Sequence, residues 1–101
     1  MSLNKVKLQE YYNTLSESYS EYMMGYQQWK NGSNIKKREA GLAIVERVIR
    51  RVQGIVESQQ LLFELAAEPE NFYESFMSIR YFHRDMPLFL KRIDDSLKAF
   101  N

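Results

Sequence analysis

Apolar and aromatic residues recur along the first third of the chain with a helical period. Leu8, Tyr12, Leu15, Tyr19, Tyr22, Tyr26 and Trp29 follow one another at alternating steps of four and three. That spacing sets side chains on one stripe of an α-helix. Glu10, Asn13, Glu17, Ser20, Glu21 and Gln28 fall off the stripe. The pattern predicts an amphipathic helix over residues 2–30, with Gly25 a mild weakness of about 1 kcal/mol relative to alanine. Asn31-Gly32-Ser33-Asn34 then reads as a turn. Gly32 is expected to take a positive φ and close the first helix. Ser33 or Asn34 is expected to cap the next.

A second helical pattern covers residues 34–68. Leu42, Val45, Ile49, Val52, Val56, Gln59, Phe63 and Ala66 form its stripe, which Ile44, Val48, Ile55 and Leu62 broaden. A face this wide suits packing against two neighbours. An unbroken helix of that span would be about 50 Å long at 1.5 Å per residue, with Gly54 a candidate break. Pro69 stops it, because the residue before a proline disfavours the α conformation. Phe72, Phe76, Ile79 and His83 predict a shorter helix over 69–84, and Met86, Leu90, Ile93, Leu97 and Phe100 another over 86–100. Asp85 would cap the latter, with Pro87 in its first turn. These two form either a hairpin or one kinked third helix. The expected architecture is a single all-α domain spanning 1–101, a bundle of two long antiparallel helices and the shorter pair.

Composition narrows the class. With 45% hydrophobic and 27% charged residues the chain is globular rather than disordered. Four glycines and two prolines are few breakers, in keeping with helices. The absence of cysteine excludes disulfides, thiolate metal sites and cysteine nucleophiles, and it fits a reducing, cytoplasmic setting. Met1-Ser2-Leu3-Asn4-Lys5 lacks the apolar core of a signal peptide. No apolar run approaches the ~18 residues of a membrane span, so no membrane association is expected.

The net charge of +1 argues against a dedicated polyanion binder, but the charge is unevenly placed. Residues 33–54 carry six basic and two acidic groups, and residues 55–79 carry five glutamates and no lysine or arginine. Within the second helix this order opposes the helix dipole. An antiparallel two-fold dimer, setting the basic half of each copy against the acidic half of the other, would offset it.

Candidate chemistry is sparse. His83 is the only histidine, and no Glu-x-x-His or His-x-x-x-His pattern surrounds it, so it reads as a core-edge residue rather than a ligand. No nucleophile elbow or glycine-rich phosphate loop is present. The expectation is therefore not an enzyme, with no metal and no cofactor. Tyr19, Tyr22, Tyr26 and Trp29 are unusual for a bundle seam, where Leu, Ile and Val prevail. Tyrosine and tryptophan are enriched at protein interfaces, which makes these four the candidate protein-interface residues. Lys36, Lys37, Arg47, Arg50 and Arg51 form a basic face, suited to nucleic-acid phosphates or to ion pairs.

No family is recognised. Trp29-Lys30-Asn31-Gly32 at a helix turn invites comparison with small secreted helical hairpins that carry a Trp-x-Gly turn at mid-chain. Here the spacing is Trp-x-x-Gly, and it falls at residue 29. The reading that follows is a non-enzymatic protein–protein interaction module of adaptor, chaperone-like or regulatory type. It would partner another protein or itself, with a homodimer preferred. The alternative is a small nucleic-acid-associated protein using the basic face of the second helix.

Overall fold

A computed structural model describes residues 4–66 and 79–100. The chain is an all-α bundle with four helices among the described residues: α1 (Lys5–Asn31), α2 (Ile35–Glu57), α3 (Gln60–Ala66) and α4 (Ile79–Ala99). The molecule is elongated, 50 × 26 × 20 Å. Helices α1 and α2 form a long antiparallel hairpin. Helix α4 lies mainly against α1 and α3, with a lighter contact to α2.

Local chemistry fixes the ends of the hairpin. Asn4 caps α1, its side chain accepting from the Lys7 amide at 2.9 Å. Asn34 caps α2 by accepting from the Lys37 amide at 2.8 Å. Each satisfies one of the amides that a helix start leaves without an internal partner. Gly32 ends α1, and its amide donates to the Gln28 carbonyl at 2.8 Å. It does so at φ −60° and ψ 143° rather than in the left-handed region expected of it. Glycine is required there for space: a Cβ would lie 2.6 Å from the Gln28 carbonyl oxygen and 3.1 Å from the Arg38 nitrogen.

The seam between α1 and α2 is built on small residues. A Cβ added to Gly25 would come within 2.6 Å of the Ile44 side chain. One added to Gly41 would strike the backbone of Trp29, and would lie 2.7 Å from the Gly25 carbonyl oxygen. Main chain therefore meets main chain at this crossing, with buried Ser18 about two turns before Gly25 on α1. The close approach explains the glycine that sequence alone presents as a weakness in α1.

The second long helix is interrupted, at Ser58–Gln59 rather than at Gly54. The Ser58 hydroxyl donates to the Ile55 carbonyl at 2.6 Å, and its amide bonds Ile55 and Val56. A serine side chain competing for a helix carbonyl helps end the regular ladder. The chain restarts as α3, whose last turn is held by Arg92 of α4 through a 3.0 Å bond from Nη1 to the Leu65 carbonyl.

Helix α4 runs unbroken past Asp85 and Pro87. From residue 79 onward the structure takes the single-helix arrangement of the two that the sequence pattern allows, rather than the hairpin. Asp85 is not an N-cap but pairs with the neighbouring Arg84 at 2.8 Å. The rest of the predicted 69–84 helix, including Phe72 and Phe76, lies outside the described residues.

The core is continuous across the four helices. Leu8, Leu15 and Tyr22 of α1 meet Val45, Val48, Val52 and Val56 of α2, Leu62 of α3, and Phe82, Met86, Phe89 and Ile93 of α4. All of these are fully shielded from solvent.

Candidate functional site

The aromatic stripe of α1 divides into two columns, each with a seven-residue repeat. Leu8, Leu15 and Tyr22 are buried, whereas Tyr12, Tyr19 and Tyr26 stay partly exposed. The small residues Ser18 and Gly25 turn one side of α1 toward α2. That leaves the second column at a flank open to solvent, where Tyr26 meets His83 of α4. Tyr22, one of the four candidate interface residues, is thereby corrected to a core residue. Its ring lies 4.7 Å from that of Phe82 and 5.8 Å from that of His83. Burial, and secondarily the neighbouring Tyr26 and Tyr19 hydroxyls, push its phenol well above the ordinary tyrosine range.

Tyr19, Tyr26 and Trp29 remain half-buried at the surface. They form a connected run of rings. Tyr19 stacks on Tyr22 at 5.9 Å, and Tyr26 packs against His83 at 4.9 Å. Tyr26 and Trp29 meet edge to face at 5.8 Å. Burial raises the Tyr19 phenol as well. The Lys30 ammonium sits 4.0 Å from the centre of the Trp29 ring, a cation–π contact that is worth about 0.5–1 kcal/mol at an exposed site. His83 joins this group from α4. It is half-buried, and its Nδ1 has no hydrogen-bond partner among the described residues.

The predicted basic face also separates into parts. Glu21 of α1 reaches Arg51 at 3.2 Å and Arg47 at 3.8 Å, one carboxylate oxygen serving both. The exposure of these groups keeps each pair to about 0–1 kcal/mol, but their geometry ties α1 to α2. Part of the charge compensation sought for α2 is thus supplied within the chain. Arg50 is exposed further along α2. Lys36 and Lys37 lie in the first turn of α2, beside Arg38 and across the turn from Lys30. The Lys37 backbone carbonyl accepts from Gln28 at 2.8 Å, which fixes this end of the hairpin.

Among the described residues no group of three His, Asp or Glu side chains is placed to hold a metal ion, and no helix is long and apolar enough to cross a membrane. Large apolar side chains are solvent-facing at Val6, Met24, Ile35 and Leu88. They lie at separate places on three helices, so sequence periodicity had no stripe to signal them. Comparison with known proteins finds no match to the chain, whether with a family model, a curated protein or a solved structure.

Proposed function

We propose that this chain is a non-enzymatic helical interaction module, which binds another protein or a second copy of itself through the flank of α1. The observation that supports this reading is the column of Tyr12, Tyr19 and Tyr26, which stays partly exposed beside a closed core, with partly exposed Trp29, seven residues past Tyr22, packed against Tyr26 at its end. Each of these side chains has an apolar body and a polar tip. Such residues lose little conformational entropy on docking and keep a hydrogen-bonding group at the rim. Met23, on the same flank, is also partly buried against the core, and its flexible thioether adapts to a partner's contour.

The test is Tyr12→Lys with Tyr19→Lys, compared with the wild-type chain by sedimentation velocity and by affinity capture after nuclease treatment. The expected result is a dimer or a stoichiometric protein complex for the wild type, lost in the double variant while its circular dichroism is unchanged. A wild type that stays monomeric at high concentration, and captures the same proteins as the variant, would remove the α1 flank as the interface.

A further inference from the structure

The closed end of the α1–α2 hairpin concentrates positive charge. Lys30 lies in the last turn of α1, and Lys36, Lys37 and Arg38 lie in the first turn of α2. All four are exposed, and among the described residues no carboxylate is in ion-pair range of them. The first turn of α2 contains no acid. Its three cations sit on the positive end of that helix's dipole, where charge of this sign opposes the fold. Local rules broken in this way, with no ion pair to these cations among the described residues, mark a place where an outside group completes the electrostatics.

An aromatic surface adjoins this patch. Trp29 is partly exposed, is set at 87° to the Tyr26 ring, and has the Lys30 ammonium over its face at 4.0 Å. An indole face beside several cations matches the way proteins hold single-stranded nucleic acid, by stacking a base on the ring and pairing phosphates with the cations. We infer that the closed end of the hairpin binds single-stranded nucleic acid. A base stacks on Trp29 in place of the Lys30 ammonium, and Lys30, Lys36, Lys37 and Arg38 take the phosphates.

This site meets the tyrosine flank at Trp29, which packs against Tyr26, but its cations lie beyond Tyr12 and Tyr19, and it differs from the arginine face, where Glu21 engages Arg47 and Arg51. Glu39 adjoins the patch and leaves its four cations with a net charge of +3, while Glu57 at the far end of α2 does not oppose it. Helix α2 has 23 residues and ends at Glu57, about 35 Å from its start at 1.5 Å per residue. That is more than three Debye lengths at physiological salt, at about 8 Å each. A single strand fits better than a duplex because its bases are free to stack on the indole.

Trp29 is the only tryptophan, so its fluorescence reports directly on the site. The full chain is titrated with an oligothymidylate, and in parallel with heparin, duplex DNA and phosphatidylserine-containing vesicles. The expected result is saturable quenching by the oligothymidylate, with a log–log salt slope of about −3 for four phosphates on a single strand. Lys36→Glu with Lys37→Glu is expected to weaken binding of a labelled oligonucleotide by about tenfold or more, while Arg50→Glu leaves it near the wild-type value. The double variant places acids at the positive end of α2, so its thermal midpoint is expected to equal or exceed that of the wild type. Loss of binding is in this way separated from unfolding. Absence of quenching at low salt would overturn the inference. So would an equal response to heparin, a blue shift with vesicles in its place, stronger binding to duplex, or an equal loss in Arg50→Glu.

Discussion

Gly41 and Gly54 occupy the same helix and place opposite demands on a side chain. A Cβ on Gly41 meets backbone of α1 on three sides: Trp29, Gly25 and Gln28. Main chain has no rotamer to change, so the two helices must part. Gly41→Ala is therefore expected to cost about 1–3 kcal/mol, the range for overpacking a tight interior. A Cβ on Gly54 meets nothing within 4 Å, and Gly54→Ala is expected to stabilise the protein by about 0.5–1 kcal/mol through helix propensity alone. Urea denaturation of the two variants checks both signs, and a Gly41→Ala protein as stable as wild type would remove the backbone-to-backbone seam. Composition gives each glycine the same meaning, a weak point in a helix. Only the crossing of α1 and α2 distinguishes Gly25 and Gly41 from Gly54, and a crossing point is a three-dimensional property.

At the scale of elements, the hairpin was legible because its signals are local. The three-and-four spacing marks α1 and α2, and Asn34 supplies the cap where a capping residue was expected. Around residues 84–86 the pattern leaves two arrangements open, a hairpin or one helix, since Asp85 and Pro87 are strong local stop signals. The structure puts both inside α4, because packing overrides them. Phe82, Met86, Phe89 and Ile93 are all fully buried, at steps of four, three and four that run straight through the supposed break. That continuous series was the available signal, and reading Ile79 and His83 as the stripe concealed it. Pro87 is exposed and has no amide hydrogen to give to the carbonyl four residues back, so it weakens α4 from within. Pro87→Ala is expected to raise stability by about 1–3 kcal/mol, measured as an upward shift in thermal midpoint with helical content retained. A downward shift would mean that Pro87 itself helps to seat Phe82 and Phe89 together.

At the scale of the whole molecule, Tyr22 joins the hairpin to α4, and its ionisation reports on that junction. The split of the α1 stripe into a buried and a half-exposed column could not be read in one dimension, because both columns have the same period. It follows from where α2 and α4 sit, and it places one phenol among Phe82, His83, Tyr19 and Tyr26. Burial of Tyr22 raises its pKa from the ordinary value of 10.0, with Tyr26 and Tyr19 adding to the shift. A raised pKa means that the folded chain keeps this proton after the unfolded chain has lost it. Above about pH 10 the folded state therefore binds more protons than the unfolded state, and stability must fall as pH rises. Below that pH the phenol is neutral in both states, and its contribution is fully present. The urea midpoint of the wild type is expected to drop as the pH is raised from about 9 to about 11. Lysines also lose charge in this window, so Tyr22→Phe serves as the control: it has no phenol to ionise and should lose markedly less stability over the same range. Parallel declines in the two proteins would place the alkaline sensitivity in the exposed lysines and show that the Tyr22 phenol ionises as readily folded as unfolded.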